Sequence, residues 1–570
     1  MEKPNTELEA MLADFSRRYE GDPAKSAQLR AAVTASDQTV TAFNQAAAAQ
    51  RIRSFGVDAR SGANSVGHLD QATGSVDLPQ SAFGAEGSAP SKDLVADCRV
   101  QSMIASFAVA RTQDKAGNWH TASPRMIENL QGAINESPFL ADEIKRASTA
   151  ADGTGRTRFA LERFELLPAN SNQGGAYASA TRTMLLPSDA FDPPGQGKYK
   201  PVATTFVLAH EIQHAFNRQY ALQAKIDFDE SVKRMSRTKD PIHDYTPILE
   251  KYIGQVRNDE SLGQIAGWNA VRSRLEASGV KPTLTNMGNA DDRMRDFVPF
   301  RERLSDPAVM RSGYELRSDL TMDPTPENIE AAGKHYFDRP TRDHIPPGNT
   351  ERVLGINHDY VSNYPNHYGK QAIEDILAAE ERAPLVNGSK PEVRIDMDRL
   401  GLYEDVLEKQ GLDLTRSHDR FPYFDSSPAH PGVQHFDHTI DGRNAHRAVG
   451  TAPEVSLSPT APERRTDPLI AHVRGILPHD ASDDRVAQIA LAAKQGGIEA
   501  GKIRTVDVID QTMVLTGTTP GTRASIDLTL PPPPAEESQQ QLGALADQQV
   551  QAQQAQLNQQ QISPSMSMSQ

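Results

Sequence analysis

Cysteine is almost missing from this chain: Cys98 is the only one in 570 residues. That excludes an intrachain disulfide and any metal site built from several thiolates, and it suits a protein made and kept in a reducing cytoplasm. No apolar stretch approaches 18 residues, so nothing in the sequence reads as a membrane span. The opening residues carry no basic segment followed by an apolar core, and no secretory leader is readable. Basic runs are missing too. With 60 Lys and Arg against 75 Asp and Glu, the net charge is −15, which argues against binding to nucleic acid or to an anionic membrane surface. Only 37% of the residues are hydrophobic, while Gly and Pro number 38 each, so a good part of the chain is expected to be linker or tail. Its length leaves room for two or three domains.

Against this background one stretch stands out. Residues 203–218 contain His210-Glu211-Ile212-Gln213-His214. On a helix the two histidines lie one turn apart on one face, so both imidazoles can reach a single tetrahedral metal ion. Glu211 falls about 100° further round, beside the ion rather than on it, where a carboxylate can take a proton from water. Leu208, Ile212, Ala215 and Phe216 form one apolar stripe, and Ala203, Phe206 and Val207 continue the histidine side. Apolar residues on two sides predict a helix packed between two lobes. The bland alternative is a pair of structural histidines on a buried helix.

Upstream, Pro124–Ala147 has helical spacing with a break predicted at Pro138. Arg158–Leu167 and Ala176–Leu186 are strand-like and separated by turn residues. A helix, paired strands and a His-Glu-x-x-His helix, in that order, resemble the minimal zincin metallopeptidase. The resemblance implies Zn2+ as cofactor, Glu211 as catalytic base, and a strand before the metal helix that serves as an open edge for extended substrate. Asn217 and Tyr220 stand where the metzincin extension has Gly and His, which excludes that subclass. A gluzincin-like third ligand is a Glu on a later helix. Glu260, Gly263, Gly267 and Ala270 share one helical face, whose small residues permit close approach to the metal helix. Glu260 is therefore the expected third ligand beside His210 and His214. Asp259 is the nearest rival, His243, His358 and His367 are weaker ones, and orientation of a histidine is the alternative role for Glu260. Tyr360, Tyr364, His367 and Tyr368 are of the right type to stabilise an oxyanion, and the sequence does not choose among them.

The expected organisation is α+β. It comprises a poorly ordered leader (1–95) with a helical start near Asn5–Tyr19, a mainly helical zincin-like domain with a small sheet (96–385), a linker with local structure (386–462), a small α+β module (463–537) and a disordered Gln-rich tail (538–570). In the linker, His418, His430, His435, His438 and His446 read as solvated loop histidines. The C-terminal module is expected as helices Asp467–Leu477 and Asp483–Lys494, the second capped by Ser482, followed by strands Lys502–Ile509, Thr512–Thr516 and Ser525–Leu530. That order, with the Ile503–Ile509 and Met513–Gly517 strands and the Gln-rich end, resembles the XVIPCD recruitment domain of Xanthomonadales type IV secretion effectors. The resemblance implies synthesis in the cytoplasm, docking to the secretion coupling ATPase, injection into a neighbouring bacterium and a cognate immunity protein. The substrate would be protein or the peptides of peptidoglycan. A non-catalytic effector with a structural zinc and a protease that is never exported remain open alternatives.

Overall fold

The computed structural model describes residues 2–59, 64–84, 87, 89–113, 119–150, 158–167, 174–193, 197–299, 306–345, 362–414, 419–428, 431–440, 468–477, 481–496, 498, 502–509, 512–517, 523–528, 531–539 and 541–542. Helix accounts for 54% and strand for 13%, an α+β fold as expected. The chain divides into two compact units, Met1–Thr451 and Ala452–Gln570. No helix among the described residues is long and apolar enough to cross a membrane.

Two long helices organise the first unit. Pro201–Met235 carries His210 and His214; after the short strand Ile242–Asp244 the chain returns through Thr246–Ala277, which carries Glu260. Both start with Pro in the first turn, where a missing N–H costs nothing. The first half of the helix Pro201–Met235 lies between two cores. Leu208, Ala209, Ile212 and Ala215 face one built from the N-terminal half of the chain, while Phe206 joins Ile265, Trp268, Met294 and Phe297 in another. Its second half contributes Phe228 and Val232 to a third core under the helix Tyr364–Glu381. The two-sided apolar pattern of this helix is explained by that placement.

The leader expected to be poorly ordered is instead folded. Helices Thr6–Arg18, Pro23–Val33 and Asp37–Ala48 are capped by Asn5, Asp22 and Ser36, and bury Leu8, Phe15, Leu29 and Phe43 completely. A three-stranded sheet pairs Ser54–Asp58 in parallel with Ser75–Pro79. These elements share one core with the helices Lys92–Phe107, Pro124–Asn135 and Pro138–Thr149, so no boundary falls near residue 95. Their helices bury alanine alongside a few large side chains, so a core forms although large apolar residues are sparse.

A second small sheet supports the site, with Thr183–Leu186 in the centre, Arg163–Leu166 parallel to it and Ala176–Ala178 antiparallel on the other side. The single strand expected over Ala176–Leu186 is thus two, folded back through a turn in which Arg182 has φ 53°. The strand directly before the metal helix is central, not an edge; the edge beside the helix is Ala176–Ala178. The described part of the expected linker, residues 386–414, 419–428 and 431–440, is also integral. Glu392–Ile395 pairs in parallel with Ile242–Asp244 and with Arg420–Asp425, which pairs with Gly432–Asp437. Buried Val393, Ile395, Tyr423 and Phe436 place this sheet in the third core. His435 lies on its outer strand, and His438 is buried with Nδ1 accepting from Leu414 N–H at 3.1 Å, so neither is a solvated loop histidine. His418, His430 and His446 lie outside the described residues.

In the second unit, helices Pro468–Ile476 and Asp483–Gln495 precede an antiparallel meander of Ile503–Ile509, Thr512–Gly517 and Arg523–Asp527. Ser482 caps the second helix through Arg485 N–H. Leu542 is buried in this core with Val473, Ile489 and Leu515, so the module reaches past the expected end at 537. Residues 543–570 of the expected tail lie outside the described residues.

Candidate metal centre

Ligating atoms of His210, Glu211 and His214 lie within 4.8 Å of one another, the one such cluster among the described residues. The helical register alone brings the imidazoles together, with ring centroids 4.9 Å apart and planes at 74°. The returning helix passes unusually close. A Cβ on Gly263 would sit 2.7 Å from His210 Cε1, and one on Gly267 would sit 2.6 Å from the Phe206 ring. The small-residue face read from the sequence is therefore the face that meets the metal helix.

Glu260, 4% exposed, is brought by this approach to 3.2 Å from His210 Nε2 through Oε2. Its Oε1 accepts a hydrogen bond from the Tyr368 hydroxyl at 2.7 Å, while the buried Oε2 accepts none. A buried carboxylate oxygen left without a donor is expensive unless a cation completes it. Burial would raise the Glu260 pKa, but His210, His214 and the Tyr368 hydroxyl outweigh it and hold the carboxyl at about 2.

The rival ligand Asp259 takes a different position. Its Oδ2 lies 3.0 Å from His214 Nδ1, and its Oδ1 accepts from the Asn217 amide at 2.7 Å. Asp259 thus fixes the ring of His214 and leaves Nε2 for a ligand, as metal-bound histidines are commonly held. Burial alone would lower the His214 pKa, but the Asp259 hydrogen bond and the charges of Asp259, Glu260 and Glu211 raise it to about 10. An ion bound at Nε2 must displace that proton. Metal affinity should therefore rise about tenfold per pH unit between pH 6 and 8, as checked by competition with a chelator at several pH values. A flat profile would contradict a His214 that Asp259 holds protonated in the metal-free chain.

Of the other described residues singled out in the sequence, only Tyr368 reaches the site, through Glu260. His243 is buried in the third core with Nδ1 on Glu380 at 2.6 Å. Tyr364 bonds to the hydroxyl of Tyr336, and the Tyr368 hydroxyl is taken by Glu260. His367 neighbours the Tyr368 ring at 5.2 Å, and partial desolvation lowers its pKa. His358 and Tyr360 lie outside the described residues. Tyr336, whose ring is 6.2 Å from that of His210, was not legible in the loop-rich 278–350 stretch, although His335-Tyr336-Phe337 is its densest aromatic run.

The edge strand reaches the centre through Gly175. A Cβ there would lie 2.7 Å from Val207 Cγ1 and 3.6 Å from Glu211 Cγ, so only glycine lets the chain lie this flat on the metal helix. The arrangement can hold one cation, keep a free carboxylate next to it and present a strand edge alongside. Compared with protein-family models, curated proteins and solved structures, the chain matches none.

Proposed function

We propose that the chain is a zinc-dependent metallopeptidase, delivered as a type IV secretion effector by its C-terminal module. The observation that carries the enzymatic reading is the cluster of His210, Glu211 and His214, whose ligating atoms lie within 4.8 Å of one another, with Glu260 Oε2 3.2 Å from His210 Nε2. Two nitrogens and one carboxylate oxygen suit zinc and leave a fourth position for water, and the buried Glu260 Oε2 faces His210 Nε2. Bound there, zinc is a Lewis acid that activates water and polarises a carbonyl.

The chain's own residues do the rest. Glu211 takes the proton of the attacking water and returns it to the leaving amine. Asp259 keeps His214 in the tautomer with Nε2 free, and Tyr368 turns Glu260 so that Oε2 faces His210. The edge Ala176–Ala178 offers backbone N–H and C=O groups to an extended peptide. Asp259→Asn should keep the fold and weaken zinc binding roughly 10- to 100-fold, measured by chelator competition. Affinity equal to wild type would remove Asp259 from the account.

The reaction is tested by measuring zinc content and the hydrolysis of denatured protein and of purified cell wall on one preparation. One zinc per chain with cleavage of denatured protein is expected; cleavage of cell wall alone would redirect the reading to a peptidoglycan amide. The export reading is supported by the order of elements in residues 468–542, which follows the recruitment domain that the sequence resembles. Deleting residues 463–570 should leave hydrolysis in vitro unchanged and abolish transfer to a neighbouring cell. Transfer that survives the deletion would contradict it.

A further inference from the structure

Arg293 stands out among the cations around the metal helix. Its backbone N–H is capped by Asp291 at 3.0 Å, and its guanidinium carbon stands over the Phe206 ring, 5.8 Å from the centroid. Phe206 is one turn before His210. On its other side, Arg293 Nη2 lies 3.3 Å from where a Cβ on Gly174 would be. The next residue, Gly175, is the one that rests against Glu211. The cation is therefore one residue along from the proposed general base, at the start of the edge strand.

Nearby carboxylates are committed elsewhere. Asp292 pairs with Arg295 at 2.8 Å, Asp296 is buried against Arg339, and Glu260 accepts from Tyr368. Among the described residues, the half-buried Arg293 side chain makes no hydrogen bond or close ion pair; the buried Asp296 carboxylate, paired with Arg339, is the charge that reaches it. A partly desolvated guanidinium without a hydrogen-bonded partner is matched in shape and charge to a carboxylate, which it can hold through two parallel hydrogen bonds.

Direction follows from the sheet. A peptide that adds antiparallel to Ala176–Ala178 enters at the Ala178 end and leaves past Gly174, so whatever reaches Arg293 lies C-terminal to the bond facing Glu211. We propose that Arg293 is the specificity-determining residue of this site and receives a substrate carboxylate on the C-terminal side of the bond that is cut. The inference rests on the peptidase reading. The carboxylate belongs either to an Asp or Glu side chain or to the end of the chain.

The test uses the full chain loaded with zinc. Binding of benzylsuccinate is compared by calorimetry with binding of 3-phenylpropionate, which lacks the second carboxylate. The wild type should prefer the dicarboxylate by on the order of tenfold or more, Arg293→Ala should erase that gap without weakening phenylpropionate, and Arg293→Lys should keep part of it. Equal affinities in the wild type, a gap that survives Arg293→Ala, or binding of neither compound overturns the proposal. Mass spectrometry of casein fragments identifies the source of the carboxylate. Internal cuts followed by acidic residues support a side chain, stepwise loss from the C-terminus supports the terminal carboxylate, and cuts with neither preference overturn the assignment. A chain that takes up no zinc and cuts no casein overturns both this proposal and the peptidase reading, and the zinc stoichiometry of the same sample separates that case from a failure of Arg293 alone.

Discussion

Replacing Glu211 with Gln is expected to abolish peptide hydrolysis while one zinc per chain is retained. Gln keeps the size and hydrogen-bonding reach of the side chain but cannot accept the proton, so what is lost is the general-base step. Such a group commonly contributes 10²–10⁴-fold to rate, and a loss of at least about 100-fold in kcat is the expected result. Ligand geometry should be untouched, because the residues that meet the cluster, Glu260 at His210 and Asp259 at His214, do not depend on Glu211. Rate and zinc content measured together decide the role. If both are unchanged the zinc is structural; if both fall, Glu211 shapes the site rather than the chemistry.

The second large effect is expected at Gly263. Gly263→Val places a branched side chain where even a Cβ would lie 2.7–2.9 Å from three ring atoms of His210. His210 is buried and cannot swing into solvent, so either the ring leaves its position or the two long helices separate. Zinc affinity should fall by more than about 100-fold, since a ligand itself is displaced, and stability by about 1–3 kcal/mol from overpacking. Gly254 on the same helix is the control, because a Cβ there meets nothing within 4 Å. Gly254→Ala should stabilise by up to about 1 kcal/mol through helix propensity alone. Chelator competition and thermal unfolding of the two variants separate a general intolerance of this helix from a specific clash with His210. A Gly263→Val protein with wild-type zinc affinity would contradict the close approach.

These predictions rest on features that local periodicity encodes. One helical turn fixes the relation of His210, Glu211 and His214, and the spacing of Glu260, Gly263 and Gly267 marks the face that meets them. That face was legible because glycine on a helix is costly unless something needs the space. The role of Asp259 was only half legible. Adjacent carboxylates at 259 and 260 point about 100° apart on a helix, and which one reaches the cluster depends on how the helix is rotated against its neighbour. Asn217 shows the same limit. Its identity argues against one zincin subclass, but its bond to Asp259 exists only once the helices pack.

What escaped the sequence depends on distant partners or on small residues. The helical start near Asn5–Tyr19 was legible, yet the Ala, Ser, Gln and Gly that follow it gave residues 1–95 the composition of a tail. The sheet of Glu392–Ile395, Arg420–Asp425 and Gly432–Asp437 is built from strands of only four to six residues and gains its place by pairing with Ile242–Asp244, some 150 residues earlier. Tyr336 reaches His210 from a segment with no periodicity leading to it.

The most direct test of the account is anomalous diffraction at the zinc edge from crystals of the full chain grown with zinc. The account predicts one ion, about 2.0–2.2 Å from His210 Nε2, His214 Nε2 and a Glu260 oxygen, with a fourth position that no protein atom occupies. An ion closed in by four protein ligands, or one that Glu260 does not touch, would contradict it.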